Sequence, residues 1–116
     1  KGHKEMPINS RAKGARFERE IANILKNMGI KARRGQQFSG LEGEDVVTNL
    51  SWHVECKAVQ NLNVQNAYEQ SLRDSKEGTT PVVIHKKNRK PIMITMRLED
   101  FPEAIKQWQE AINEKD

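Results

Sequence analysis

Along the chain the spacing of apolar residues switches between the 3.6-residue period of an amphipathic helix and the two-residue period of a strand, and this alternation restricts the fold more than any other feature. Phe17, Ile21, Ile24, Leu25 and Met28 recur at helical spacing, which predicts a first helix over residues 10–28, capped by Ser10 and stopped by Gly29. Short strands are expected over 30–34, 45–48 and 52–59. A polar loop, 35–43, separates the first two, and the turn Asn49-Leu50-Ser51 joins the last two. A second helix over 63–77, with Val64, Ala67, Tyr68, Ser71 and Leu72 on one face, leads to two more strands, 82–86 and 92–96, around the basic turn Lys87-Asn88-Arg89-Lys90. Asp100 and Pro102 open a last helix in which Phe101, Ile105, Trp108 and Ile112 line up. The predicted order α-β-β-β-α-β-β-α describes an α/β sandwich, a mixed five-stranded sheet flanked by helices, with no repeats and no internal linker.

The 116 residues hold one domain, read as 11–116, preceded by a flexible basic arm over 1–10. With 35% hydrophobic residues the core is expected to be thin, and burial of more surface in a homodimer would help so small a domain. The single cysteine, Cys56, excludes an intramolecular disulfide and a cysteine-based zinc knuckle. No apolar run approaches the roughly 18 residues of a membrane span, and the first 30 residues carry no apolar secretory segment, so a cytoplasmic location is expected.

Charge is segregated. Residues 1–37 carry ten basic groups against three acids, and residues 81–97 carry five basic groups and no acid, while 38–80 and 98–116 are acidic. Such cationic stretches suit a polyanion held through its phosphates, with a solvated lysine-rich surface as the plainer alternative. Arg11, Lys13, Arg16, Arg33 and Arg34 form one candidate set, and Lys86, Lys87, Arg89 and Lys90, on a turn that projects from the sheet, form another. The few scattered aromatic residues offer no platform for base stacking.

The chemistry concentrates in Glu44-Asp45-Val46-Val47 and Val54-Glu55-Cys56-Lys57. Alternation along a strand puts Glu55 and Lys57 on one face, with Trp52, Val54, Cys56 and Ala58 on the other, and the hairpin brings Asp45 within reach of Glu55. Two converging carboxylates repel unless a cation lies between them, and oxygen ligands suit magnesium. A lysine beside such a metal can orient the attacking water or stabilise charge growing on a phosphate. An acid-x-lysine strand also reads as an ordinary ion pair on a sheet face, and the two readings stand level. His53 and Cys56 point to opposite faces, which argues against a shared zinc. His53 shares the face of Glu55, most simply as a hydrogen-bonded sheet histidine. Glu18 and Glu20 lie at opposite margins of the apolar stripe of the first helix, which does not choose between them.

Taken together, Lys13-Gly14-Ala15-Arg16-Phe17-Glu18-Arg19, then Arg34 and Ser39-Gly40, then Asp45-Val46-Val47 and Glu55-Cys56-Lys57, make a sequence that resembles the P-D…(D/E)-x-K nuclease superfamily. Within it the chain is similar to the small archaeal-type Holliday-junction resolvases and their phage-borne relatives. The resemblance implies a restriction-endonuclease-like fold over 11–116 and a magnesium-dependent endonuclease, with manganese able to substitute. Asp45, Glu55 and the backbone carbonyl of Cys56 would bind the metal, Lys57 would be the catalytic lysine, and Glu18 would complete the acidic site. Ser39 would sit in a loop closing on DNA near the cut. The implied partner is a four-way DNA junction cut symmetrically by a homodimer, with no membrane and no small-molecule cofactor, in the host cytoplasm for a phage-borne chain. Glu44 stands where the family has proline and is an alternative ligand to Asp45. Other nucleases of the superfamily (nicking, repair or restriction-like) and a non-catalytic DNA-binding module are the competing readings.

Overall fold

The first helix, α1, spans Pro7–Asn27, so Ser10 lies inside it rather than capping it. Proline is well suited to a first helical position, where an absent N–H is not missed, and this signal outranks the serine. The computed structural model describes residues 7–35 and 44–114. The arm expected over 1–10 therefore overlaps the helix from Pro7 onward, and residues 1–6 lie outside the described residues. At its other end α1 stops where expected. Gly29 adopts φ +102°, the Ile30 N–H donates to Leu25 O at 2.9 Å, and the Gly29 N–H donates to Lys26 O at 3.0 Å. These bonds satisfy carbonyls the helix leaves open.

Five strands follow: β1 (Ala32–Arg34), β2 (Val46–Thr48), β3 (Trp52–Lys57), β4 (Thr80–His85) and β5 (Met93–Thr95), lying side by side in that order. All neighbours run antiparallel except β3 and β4, which are parallel. A parallel pair needs a long crossover, and α2 (Val64–Asp74) supplies it, begun by Asn63, whose side chain accepts the Asn66 N–H at 3.0 Å. The α/β sandwich and mixed five-stranded sheet expected of a restriction-endonuclease-like fold are both present. β4 starts at Thr80, before the expected 82, and runs through Pro81. Thr80 and Lys86 donate their N–H groups to Ser51 and Lys57 on the β3 side, so the nitrogen of Pro81 faces β5. That strand pairs only with Val83–His85, and the missing donor leaves no rung unmade.

Two helices and a short 3-10 turn (Leu98–Asp100) complete the layers. On one side of the sheet, α1 and α3 (Phe101–Ile112) enclose the main core with Val46, Trp52, Val54, Val82 and Ile84. On the other, α2 covers a small cluster of Ala67, Tyr68 and Val83. The orientation of α3 differs from the expected one. It buries Ala104, Gln107 and Ala111, whereas Phe101, Ile105 and Ile112 are 40–50% exposed. Small residues allow close approach to the sheet, and the Thr80 hydroxyl donates to Gln107 Oε1 at 2.8 Å, satisfying the one polar group on that face. Asp100 does not cap α3, because its carboxylate instead accepts from Arg97 Nε at 3.0 Å. No described helix is long and apolar enough to cross a membrane.

Candidate active site

The site lies at the open end of the β2–β3 hairpin. Val46 and Val54 pair, and one residue outward the Asp45 N–H donates to Val54 O at 2.9 Å. Beyond that point the carboxylate of Asp45 replaces the backbone: its Oδ2 accepts the Cys56 N–H at 2.8 Å. Because odd-numbered residues of β3 bond to β4, the backbone groups of Val54 and Cys56 turn toward β2. The Cys56 carbonyl therefore points to the same side as the Asp45 carboxylate. The Gly35 N–H donates to Asp45 O at 2.8 Å, and its backbone lies so close to the Glu44 carbonyl that no side chain would fit there.

Glu55 occupies the predicted face of β3 with His53 and Lys57, and it is buried, not solvated: only 5% of it is exposed. The His53 imidazole, itself buried, meets Glu55 Oε2 through Nε2 at 2.8 Å. Burial pushes the Glu55 pKa up; the His53 hydrogen bond opposes this and the charge of Asp45 adds to it. His53 is pulled down by its own burial, but the hydrogen bond and charge of Glu55 prevail and hold it above its ordinary value.

Glu18 reaches the same region from α1. Its Oε1 accepts from Arg34 Nε at 3.0 Å. Burial raises its pKa, Arg34 works against that, and the nearby charge of Asp45 adds to it. Glu18 is within electrostatic reach of Asp45, whereas Glu20 lines a cationic cavity. Cys56 turns its thiol into the α1 and α3 core. Burial, then the charges of Asp45, Glu18 and Glu55, push its pKa upward, which leaves its backbone as the part that can serve the site. Glu44 is half-buried and its charge acts on His53.

The donor set gathered here consists of carboxylate and carbonyl oxygens, the ligands of a hard divalent cation, and the charge of Asp45 reaches both Glu18 and Glu55 and raises their proton affinity. Those groups suit magnesium in kind. Among the described residues, no group of three or more histidine, cysteine, aspartate or glutamate side chains is arranged to hold a metal ion; what the structure brings together is the Asp45 carboxylate, which interacts directly with Glu55 and accepts the Cys56 N–H.

The basic residues divide differently from the sequence grouping. Lys13 and Arg16 of α1 join Lys86, Lys87 and Arg89 around one cavity of about 160 Å³. Lys90 is exposed on the same turn. Arg34 is engaged with Glu18, and Arg33 lies on β1 at the far edge of the sheet, donating to Arg34 O at 3.1 Å. Ser39 and the side chain of Arg11 lie outside the described residues. His53 is the hydrogen-bonded sheet histidine expected on the Glu55 face. One contact had no counterpart in the sequence reading: Gln60 accepts the Asn88 N–H at 2.9 Å across a separation no local pattern reveals.

Comparison with known proteins adds one finding. Residues 9–115 match the model of a family described as "Phage putative PDDEXK endonuclease". No curated protein and no solved structure matches the chain.

Proposed function

We propose, from the premise that the chain belongs to this phage PDDEXK endonuclease family and is a nuclease of that type, that it is a magnesium-dependent, structure-selective DNA endonuclease, most specifically a homodimeric Holliday-junction resolvase. The observation that carries the catalytic part is the Asp45 carboxylate bonded to the Cys56 N–H at the mouth of the hairpin, beside Glu55 and Lys57. Asp45, Glu55 and the Cys56 carbonyl would hold the metal. When bound, magnesium supplies Lewis acidity at the scissile phosphate, and manganese would do the same.

The chain's own residues account for the remaining steps. The Lys57 ammonium, on the Glu55 face, orients the attacking water and offsets charge developing on the phosphate oxygens. Arg34 fixes Glu18 at the edge of the site, where it completes the acidic wall. His53 holds Glu55 in one rotamer through Oε2. In-line attack then leaves a 5′-phosphate. Lys13, Arg16, Lys86, Lys87, Arg89 and Lys90 hold DNA through its backbone, with Arg11, Arg33 and Ser39 as further contacts.

Cleavage of a synthetic four-way junction beside linear duplex of the same sequence tests this reading, run with magnesium and with chelator on the intact chain and on Asp45→Asn. Cutting of the junction alone, lost with chelator and with Asp45→Asn while DNA binding persists, is the expected result. Equal rates on both substrates would replace the resolvase with a nicking, repair or restriction-like nuclease. Binding without any cutting would leave a DNA-binding module.

A further inference from the structure

The two basic stretches, far apart in sequence, meet in one cavity next to the acid site. Lys13 and Arg16 line it from α1, and Lys86, Lys87 and Arg89 from the β4–β5 turn, with Glu20 as the one acid among the lining side chains. Its volume, about 160 Å³, is several times the roughly 30 Å³ that one water occupies in the liquid. Five cations converging on a concave surface repel one another. They stay together because the turn is fastened from three sides.

The Asn88 N–H donates to Gln60 Oε1 at 2.9 Å, Lys13 Nζ donates to Asn88 Oδ1 at 3.4 Å, and the Lys86 N–H donates to Lys57 O at 3.0 Å. The last bond ties the turn to the peptide of the proposed catalytic lysine. Arg89 itself has φ +63°, a left-handed conformation that glycine tolerates and a long side chain adopts at a cost. The wall of the cavity also includes Ala58, whose Cα is about 3.8 Å from that of Lys57. Helix α1 thus stands between two sites of opposite sign, with Glu18 toward Asp45 on one side and Lys13 and Arg16 toward the turn on the other.

A negatively charged strand crossing the end of β3 would meet the acid site and the cation cavity in succession, and a duplex strand rises about 3.4 Å per nucleotide. We propose that this cavity seats one backbone phosphate of the strand being cut, one or two nucleotides from the scissile bond, and so sets the register of cleavage. The inference rests on the nuclease reading and adds to it a dedicated subsite.

The experiment uses whichever of a synthetic four-way junction and its linear duplex the intact chain cuts with magnesium. After the cut is mapped, single phosphates of that strand are replaced by neutral methylphosphonates, and affinity is measured without metal on the Asp45→Asn chain. The same series is measured with Arg16→Ala and Arg89→Gly added, the glycine keeping the left-handed turn. Neutralising one phosphate within two nucleotides of the cut should weaken binding by about tenfold in the Asp45→Asn background. That penalty should vanish once Arg16 and Arg89 are replaced, and persist with Lys106→Ala on α3 as a control. A penalty that survives the double substitution, or one abolished only at distant phosphates, overturns the subsite while leaving the nuclease standing. Failure to cut either DNA overturns both.

Discussion

The two faces of β3 are held by different forces. Trp52, Val54 and Cys56 point into the apolar layer beneath α1 and α3, where Trp52 also packs on Trp108 at 5.8 Å between ring centroids. His53, Glu55 and Lys57 point the other way, toward α2, where the buried apolar cluster is Ala67, Tyr68 and Val83. Burial of hydrocarbon stabilises the first face. On the second, burial opposes charge on both His53 and Glu55, and their mutual bond at 2.8 Å offsets part of that cost. The proposed reactive groups thus occupy the side with the least apolar support, and the opposite side carries the stability that allows it.

Substitutions on the two faces should therefore fail in different ways. Glu55→Gln should slow DNA cutting by about a thousandfold or more, roughly 4 kcal/mol of barrier, without lowering the melting temperature, because it removes a buried carboxylate. Retained cutting with a lowered melting point would reverse the assignment of that face to chemistry. Val54→Ala, on the other side of the same strand, should cost about 2–3 kcal/mol in denaturant unfolding while the folded fraction cuts normally.

Acid titration of metal-free protein sharpens the contrast. Glu55 is raised above its ordinary 4.5 by burial, Glu18 shares that direction, and His53 is raised above 6.5 because Glu55 outweighs its burial. Groups with raised values bind protons more readily folded than unfolded, so these three should add stability as pH falls from about 8 toward 5, against the opposite contribution of His85, which burial holds below its ordinary value. Thermal melts across that window check this, and Glu55→Gln should flatten the slope. If stability fell with acid instead, the polar face would be held by charge rather than strained by it. The smallest effect expected is at the rim of the apolar side: Gly29→Ala should cost about 1–2 kcal/mol in unfolding, since φ is +102° and a Cβ would stand 2.9 Å from Ile112 Cδ1.

Strand alternation made the split between Glu55 with Lys57 and Val54 with Cys56 legible before any coordinates, because a period of two assigns faces without knowledge of neighbours. The glycine stop of α1 and the Asn63 start of α2 were equally local. The orientation of α3 was not. A stripe of Phe101, Ile105 and Ile112 outweighs Ala104 and Ala111 in hydrophobicity, but the distance to the sheet is set by the partner surface, and close packing selects small residues. The burial of Glu55 was hidden for a similar reason, since it depends on α2 lying over that face. Pairing between Lys13 and Asn88, 75 positions apart, has no signature in a single sequence.

One bond ties folding to reactivity in a way that local dynamics would expose. The amide of Cys56 is both the terminal rung of the hairpin and the clasp on the Asp45 carboxylate, so fraying of that ladder and loss of the carboxylate's aim are a single event. The exchange rate of one proton, that of the Cys56 amide, would therefore clock how often the proposed site disarms itself.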